Sequence, residues 1–302
     1  WNVIMGSIPP LNNADWQIAF SKYQQIPQFQ KINAHFELSD FKSIYWWEFI
    51  HRQLGRLIGL VFLIPFLYFL VTRQMDRAII KKSMFLFFLG GLQGFLGWYM
   101  VSSGLVERTS VSHIRLAVHL ITAFVTFGFT YWYALEIRSS EDSRAVSKAS
   151  TGIIRIIFTL LIIQIIYGAF VAGMHAGKMY NTFPLMNGQV IPTGMGTVEP
   201  LYLNFINNPV TVQFIHRIFA FVLLFLVAKV WWTSKKTGMN PDQRKAMNIV
   251  LLAVSVQFLL GVLTLLTKVD ITMASLHQIG AFFLFSSVIY LLFRMRKVQR
   301  VA

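Results

Sequence analysis

With seven histidines and no cysteine, imidazole is the principal metal-binding group available to this 302-residue chain besides its carboxylates. The missing thiol excludes disulfides, cysteine-ligated iron-sulfur clusters, thiolate-ligated heme and a cysteine nucleophile. Four of the histidines fall into a repeating pattern. Phe49-Ile50-His51-Arg52 recurs unchanged as Phe214-Ile215-His216-Arg217. His119, Ile121, Ala123 and Phe124 are matched by His277, Ile279, Ala281 and Phe282, and Gln93 with Gly97 is echoed by Gln257 with Gly261. The nearly constant offset between these blocks marks a tandem duplication. His35, His113 and His175 have no repeat partner and read as interfacial or loop residues.

Composition states what must position these residues. The chain is 55% hydrophobic and 13% charged, with mean hydropathy +0.57, a balance expected of a membrane protein. Runs free of Lys, Arg, Asp and Glu cover residues 83–106, 116–135, 246–267 and 271–293, and a fifth covers 156–173. Residues 44–71 and 210–232 are apolar over most of their length but carry a few charges. Each run approaches or exceeds the roughly 20 residues a helix needs to cross a bilayer. Seven transmembrane helices in an all-α polytopic protein are therefore predicted.

The net charge of +15 sorts with this topology. Segments 72–82, 136–152, 233–245 and 294–302 hold fifteen Lys and Arg, whereas the longer set 1–43, 103–115, 174–209 and 268–270 holds seven. The positive-inside rule places the first set in the cytoplasm and the second outside. The basic excess is then a topology signal, and no nucleic-acid partner is expected. Residues 1–43 contain Trp16, Phe20, Tyr23 and Phe29 between breaks at Pro9, Pro10 and Pro27, which predicts short helices at the outer interface; nothing there resembles a cleavable signal peptide. The Gly-, Pro- and Asn-rich loop 174–209 is long enough to cap a site from outside.

The second copy of the repeat has four helices and the first has three, so the duplication predicts a helix upstream of Trp1. The expected architecture is two tandem four-helix bundles, arranged as parallel repeats. Segment 1–43 is the external interfacial region, 44–135 the N-terminal bundle, 136–152 a cytoplasmic linker, 153–293 the C-terminal bundle and 294–302 a cytoplasmic tail. His51, His119, His216 and His277 lie on the second and fourth helices of their bundles, a turn or two after each span begins, roughly 5 to 10 Å from its outer end. Those helices are diagonal partners. Two imidazoles opposed in this way can ligate a heme axially, one heme per bundle. A tetrahedral zinc site would need its ligands gathered together. Gly55, Gly59, Gly97, Gly261 and Gly280 are predicted to let a macrocycle approach the backbone.

One charge distinguishes the halves. Glu48 precedes His51 by three residues, on the same helical face, where the second copy has Gln213. A carboxyl beside only one histidine pair predicts chemistry at that pair, in proton handling or substrate activation. The alternative is an ion pair with Arg52, Arg56 or Arg115. Arg52 and Arg217 directly follow their histidines and can pair with heme propionates or reach toward the surface.

Over essentially its whole length the chain resembles the heme A synthases, particularly the alphaproteobacterial and mitochondrial type. The likeness is carried by Pro9-Pro10 ahead of Trp16, the stretch Tyr45 to Arg56, Gln93-Gly94-Phe95-Leu96-Gly97-Trp98-Tyr99-Met100-Val101, Arg115-Leu116-Ala117 with His119, Gly168-Ala169-Phe170-Val171-Ala172-Gly173, Tyr180-Asn181, Phe183-Pro184, Gln213, His216-Arg217 and His277-Gln278. The resemblance implies an eight-helix enzyme that oxidises the C8 methyl of heme O to the formyl of heme A for cytochrome oxidase. It implies a heme B cofactor on His216 and His277, with heme O as substrate on His51 and His119 beside a catalytic Glu48. Family members with a cysteine pair in external loops differ from this cysteine-free chain. The implied setting is the inner (cytoplasmic) membrane, with the histidines near the external face. Implied partners are heme O synthase or another heme-delivery protein, an electron donor, membrane lipid and further copies of the chain. The rival reading of the same four histidines is a diheme b-type cytochrome exchanging electrons with a quinone; a transporter is disfavoured by the lack of a charged midplane site.

Overall fold

The computed structural model describes residues 6–104, 109–138 and 148–296. The basic linker at 139–147 and the tail at 297–302 lie outside these residues. Among the described residues seven helices are long and apolar enough to cross a membrane: α3 (Leu38–Val71), α4 (Arg77–Gly104), α5 (His113–Arg138), α6 (Lys148–Gly173), α8 (Pro209–Ser234), α9 (Pro241–Leu266) and α10 (Ile271–Met295). Two short helices, α1 (Asn13–Gln24) and α2 (Pro27–Lys31), precede them, and α7 (Asn204–Asn207) lies in the long loop before α8. The predicted span count and all-α class hold. Many of their large apolar side chains are exposed, among them Leu57, Ile58, Val61, Ile64, Phe225 and Leu259, as expected where lipid is the solvent.

The chain divides into two compact units, Trp1–Thr122 and Ala123–Ala302, with the boundary inside α5. In the first unit α3 begins earlier than its apolar run. Glu37 and Asp40 form a reciprocal capping box that starts the helix at Leu38. This polar first turn and its aromatic neighbours carry α3 out to meet α1. Trp16, Phe20, Phe41, Tyr45 and Phe49 form a buried cluster there, with the Trp16 and Tyr45 rings edge to face at 4.9 Å. Asn12 caps α1 through Asp15 N, and Pro27 opens α2, where its missing N–H costs nothing.

In the second unit α6 packs on α8 and α10, and α9 packs on α8 and α10. This four-helix ring puts α8 and α10 on one diagonal. Its core holds Ile154, Ile157, Val212, Met247, Val250 and Phe285, each at most 2% exposed. The part of α5 within this unit lies along α10: Phe124 meets Phe285 at 5.0 Å, Trp132 meets Phe293 at 5.3 Å, and Glu136 pairs with Arg296 at 3.1 Å. Side chains of α9 also reach carbonyls of α10: Gln243 Nε2 donates to Arg294 O, Gln257 Nε2 to His277 O and Thr264 Oγ1 to Met273 O, each at 3.0 Å. Inside a bilayer such bonds have no water competitor.

The loop between α6 and α8 is ordered by its own polar groups. Asn208 caps α8, accepting from Val210 N and Thr211 N, while its Nδ2 donates to Gly194 O at 2.8 Å and to Asn204 Oδ1 at 2.9 Å. Asn204 donates in turn to Leu201 O and to Val198 O. Both asparagines are 2% exposed, so each buried amide has found partners, as burial requires.

Candidate functional site

Three of the four repeat-related histidines stand one to two turns into their helices: His119 in α5, His216 in α8 and His277 in α10. His51 departs from that register because of the extension of α3, and lies more than three turns from the helix start. His51 and His119 belong to the first unit, and His216 and His277 to the second. His216 and His277 occupy the diagonal helices of the ring.

The glycines near them are not open approaches to the backbone, with two exceptions. Gly55 and Gly59 have nothing within 4 Å of where a Cβ would stand. At Gly97 that position is 2.8 Å from His119 Cε1, at Gly261 it is 2.9 Å from His277 Cε1, and at Gly168 it is 3.3 Å from His216 Cε1. At Gly280 it is filled by Gln257 Oε1. These four glycines therefore receive neighbouring side chains, and three of them receive an imidazole edge.

A glutamine accompanies each of those three, one turn earlier on the same helix. Gln164 Nε2 donates to His216 O at 3.0 Å and lies 3.5 Å from His216 Nε2. Gln257 Nε2 donates to His277 O, and Gln93 Nε2 lies 3.4 Å from His119 Nε2. In the sequence Gln93 with Gly97 and Gln257 with Gly261 stand out as repeat markers, and their glycines as approaches to the backbone, but neither Gln is marked as a neighbour of a histidine, and Gln164 with Gly168 is not marked at all. The same spacing on the helix before a histidine helix was the available signal.

Glu48 and Arg52 form an ion pair along one turn of α3, with Oε1 2.8 Å from Nη2 and 3.1 Å from Nε. Arg56 is elsewhere, donating to Gly6 O and Gln53 Oε1, and Arg115 lies over the Tyr99 ring at 5.0 Å. Arg217 is turned toward the loop: Nη1 donates to Thr182 O at 2.9 Å, and Nη2 to Tyr180 O. Gln213 Nε2 donates to the same Tyr180 carbonyl at 3.0 Å. Phe183, between those two anchor points and the rest of the loop, stacks on Phe221 of α8 at 5.9 Å and meets Phe258 of α9 at 6.1 Å. The loop is thus fastened to the turn of α8 that carries His216.

The second-unit pair fits a bis-imidazole heme site. Among the described residues His216 Nδ1 and His277 Nδ1 are buried with no protein partner, and both rings are docked edge-on against glycines. His119 Nδ1 in the first unit is likewise buried and unpartnered. Unsatisfied buried ring nitrogens call for a further partner, and neutral imidazole pairs are axial heme ligands. Among the described residues no three His, Asp or Glu side chains gather as a metal-binding group.

Comparison with known proteins agrees with this chemistry. Residues 1–289 match the family described as cytochrome oxidase assembly protein. A heme A synthase of Nitrosomonas eutropha is 42% identical over 96% of this chain and 83% of its own length. Those of Flavobacterium johnsoniae and Wolbachia pipientis are 44% and 42% identical, each over 98% of this chain and over 88% and 83% of their own lengths.

Proposed function

The chain belongs to the family of cytochrome oxidase assembly proteins and is a multi-pass membrane oxidoreductase of heme A synthesis, and we propose a division of labour between its two histidine pairs. His216 and His277 hold a resident heme B. His51 and His119 receive heme O as substrate, and its C8 methyl is oxidised to the formyl group. The observation that carries this division is the pair of equivalent helix positions one turn before the first histidine of each unit. Glu48 stands there beside His51 with its carboxylate tied to a partly exposed arginine, whereas Gln213 stands beside His216 with its amide bonded to loop backbone.

Oxidation of an unactivated methyl is work for a redox cofactor, and when bound the heme B supplies one-electron chemistry for it. The protein's own groups do the rest. His51 and His119 orient the substrate from opposite helices. Glu48 moves protons at the substrate side, and Arg52 holds that carboxylate in one orientation. Gln213, Arg217 and Phe183 keep the loop over the outer end of the His216 helix, which restricts water. Two successive hydroxylations of the methyl, each taking one oxygen atom from dioxygen while two electrons from the donor and two protons reduce the other to water, would give a gem-diol that loses water to the aldehyde.

The basic segments 72–82, 136–152, 233–245 and 294–302 support a topology with these loops in the cytoplasm and the histidines toward the outer face, in the inner membrane. Its partners are a heme O synthase or other heme-delivery protein, an electron donor, lipid and further copies of the chain. The test is to express the full chain in membranes supplied with heme O, extract the noncovalent hemes and identify them by chromatography and mass. Heme A or its hydroxylated precursor beside heme B is the expected result. Unmodified heme alone overturns the reading.

A further inference from the structure

We propose that Gln164 and Gln257 are positioning residues which, each with the glycine one turn further along its helix, fix the backbone and ring of the two histidines that hold the resident heme. The inference rests on the assignment of that heme to His216 and His277.

Each histidine is held at two points. The first is its own backbone carbonyl, which receives Gln164 Nε2 at 3.0 Å for His216 and Gln257 Nε2 at 3.0 Å for His277. A carbonyl in mid-helix already accepts from the amide four residues on, and its second lone pair is free for a neighbour. In apolar surroundings this bond has no solvent competitor, so it fixes helix depth and rotation at the ligand itself. Only one amide orientation allows it. The NH2 must face the carbonyl, which turns Oε1 inward, and among the described residues neither Gln164 Oε1 nor Gln257 Oε1 has a partner.

The second point is the ring edge. His216 Cε1 and His277 Cε1 sit where the Cβ of any other residue at Gly168 or Gly261 would be, at 3.3 and 2.9 Å. Edge-on docking through Cε1 leaves the two ring nitrogens on either side of the contact, so the glycine sets the ring's rotation. At Gly261 both nitrogens of His277 are nearly equidistant, 3.5 and 3.6 Å away. Backbone and ring are thus held by residues four apart on one neighbouring helix, which face the same way.

The first unit offers an internal contrast. Gly97 seats His119 in the same manner, but Gln93 Nε2 reaches the ring nitrogen of His119 at 3.4 Å, and among the described residues it makes no bond to the His119 carbonyl. Among the described residues the His119 carbonyl thus lacks the first of the two anchors. This difference suits a pair that must accept and release its ligand, while the second-unit pair keeps one.

Groups behind metal-ligating histidines typically change affinity by roughly ten- to a hundredfold when removed. In the full chain, purified with its resident heme, Gln257→Met and Gln164→Met keep side-chain size and remove the donor. Each is expected to accelerate loss of heme to an apoprotein acceptor by about tenfold or more, and to shift the low-spin resonance signal and midpoint potential of the heme. Gln93→Met is expected to leave those three properties of the resident heme unchanged. Gly261→Ala, which displaces the ring without touching the glutamine, provides a second route if a Met variant does not accumulate, and is expected to move the same resonance signal. Heme retention, signal and potential all unchanged in the Gln164, Gln257 and Gly261 variants would overturn the inference. If instead His277→Ala retained the resident heme with an unaltered signal, the assignment of that heme would fail.

Discussion

Glu48 and Arg52 are joined along one turn of α3, carboxylate to guanidinium at 2.8 Å, with the glutamate 40% and the arginine 20% exposed. A pair this open to its surroundings contributes little to stability, about 1 kcal/mol or less. Its value lies in holding one carboxylate oriented on the face that carries His51. Glu48→Gln is accordingly expected to leave the protein folded and the heme of His216 and His277 in place, and to abolish conversion of heme O. Product formation at the unaltered rate would remove Glu48 from the chemistry.

The two histidine pairs should be separable by spectroscopy. His216→Ala and His277→Ala are each expected to lose the resident low-spin heme absorption. His51→Ala is expected to retain that absorption while losing uptake of added heme O, measured by heme extraction after reconstitution. A His51→Ala protein that lost both would mean that the pairs are not independent.

Arg217 gives two charge-assisted bonds to loop carbonyls. Removing them in Arg217→Ala should weaken the loop's attachment by about 2 kcal/mol, or roughly thirtyfold in its opening equilibrium. Limited proteolysis between Tyr180 and Thr193 reads this directly, with faster cleavage expected. An arginine reserved for a heme propionate would instead give an unchanged cleavage rate in protein from which heme has been removed.

Asn208 caps α8 with its oxygen and ties Gly194 and Asn204 with its nitrogen. Loss of the cap costs about 1 kcal/mol, and the stranded carbonyl of Gly194 adds about as much again. Asn208→Ala should lower the thermal midpoint in detergent more than Asn208→Asp, which keeps the cap acceptor and loses only the donor. Equal midpoints for the two variants would show that the cap is idle, and an Asp variant as stable as the unsubstituted protein would show the same of the nitrogen side.

Much of the architecture was legible because a bilayer imposes a simple demand, a sustained run of apolar residues for each crossing. Helix ends were less so. The start of α3 depends on a capping box at Glu37 and Asp40, and α6 begins at Lys148, well before its apolar run. Neither boundary is marked by a change in hydrophobicity, and the first alters the register of His51. The histidine pattern was visible as repetition, but Gln164 was not, since Ile165, Ile166 and Tyr167 beside it have no match near Gln93 or Gln257. The glycines were recognised as places where something approaches the backbone; that it is an imidazole from the next helix is tertiary information. Arg217 offers the same lesson, because its reach to Tyr180 and Thr182 depends on how the loop between α6 and α8 folds back.

The bond from Gln213 to the Tyr180 carbonyl also constrains how the protein can change. A glutamate at 213 would present an acceptor to an acceptor, with Arg217 already engaged by the same carbonyl. The loop would have to let go before a carboxylate could settle there. Position 48 has no such loop to hold, because its side chain closes on Arg52 within a single helix. Two positions that correspond in the repeat are therefore not interchangeable: Gln213 is committed to holding the loop, whereas Glu48 answers only to its own helix.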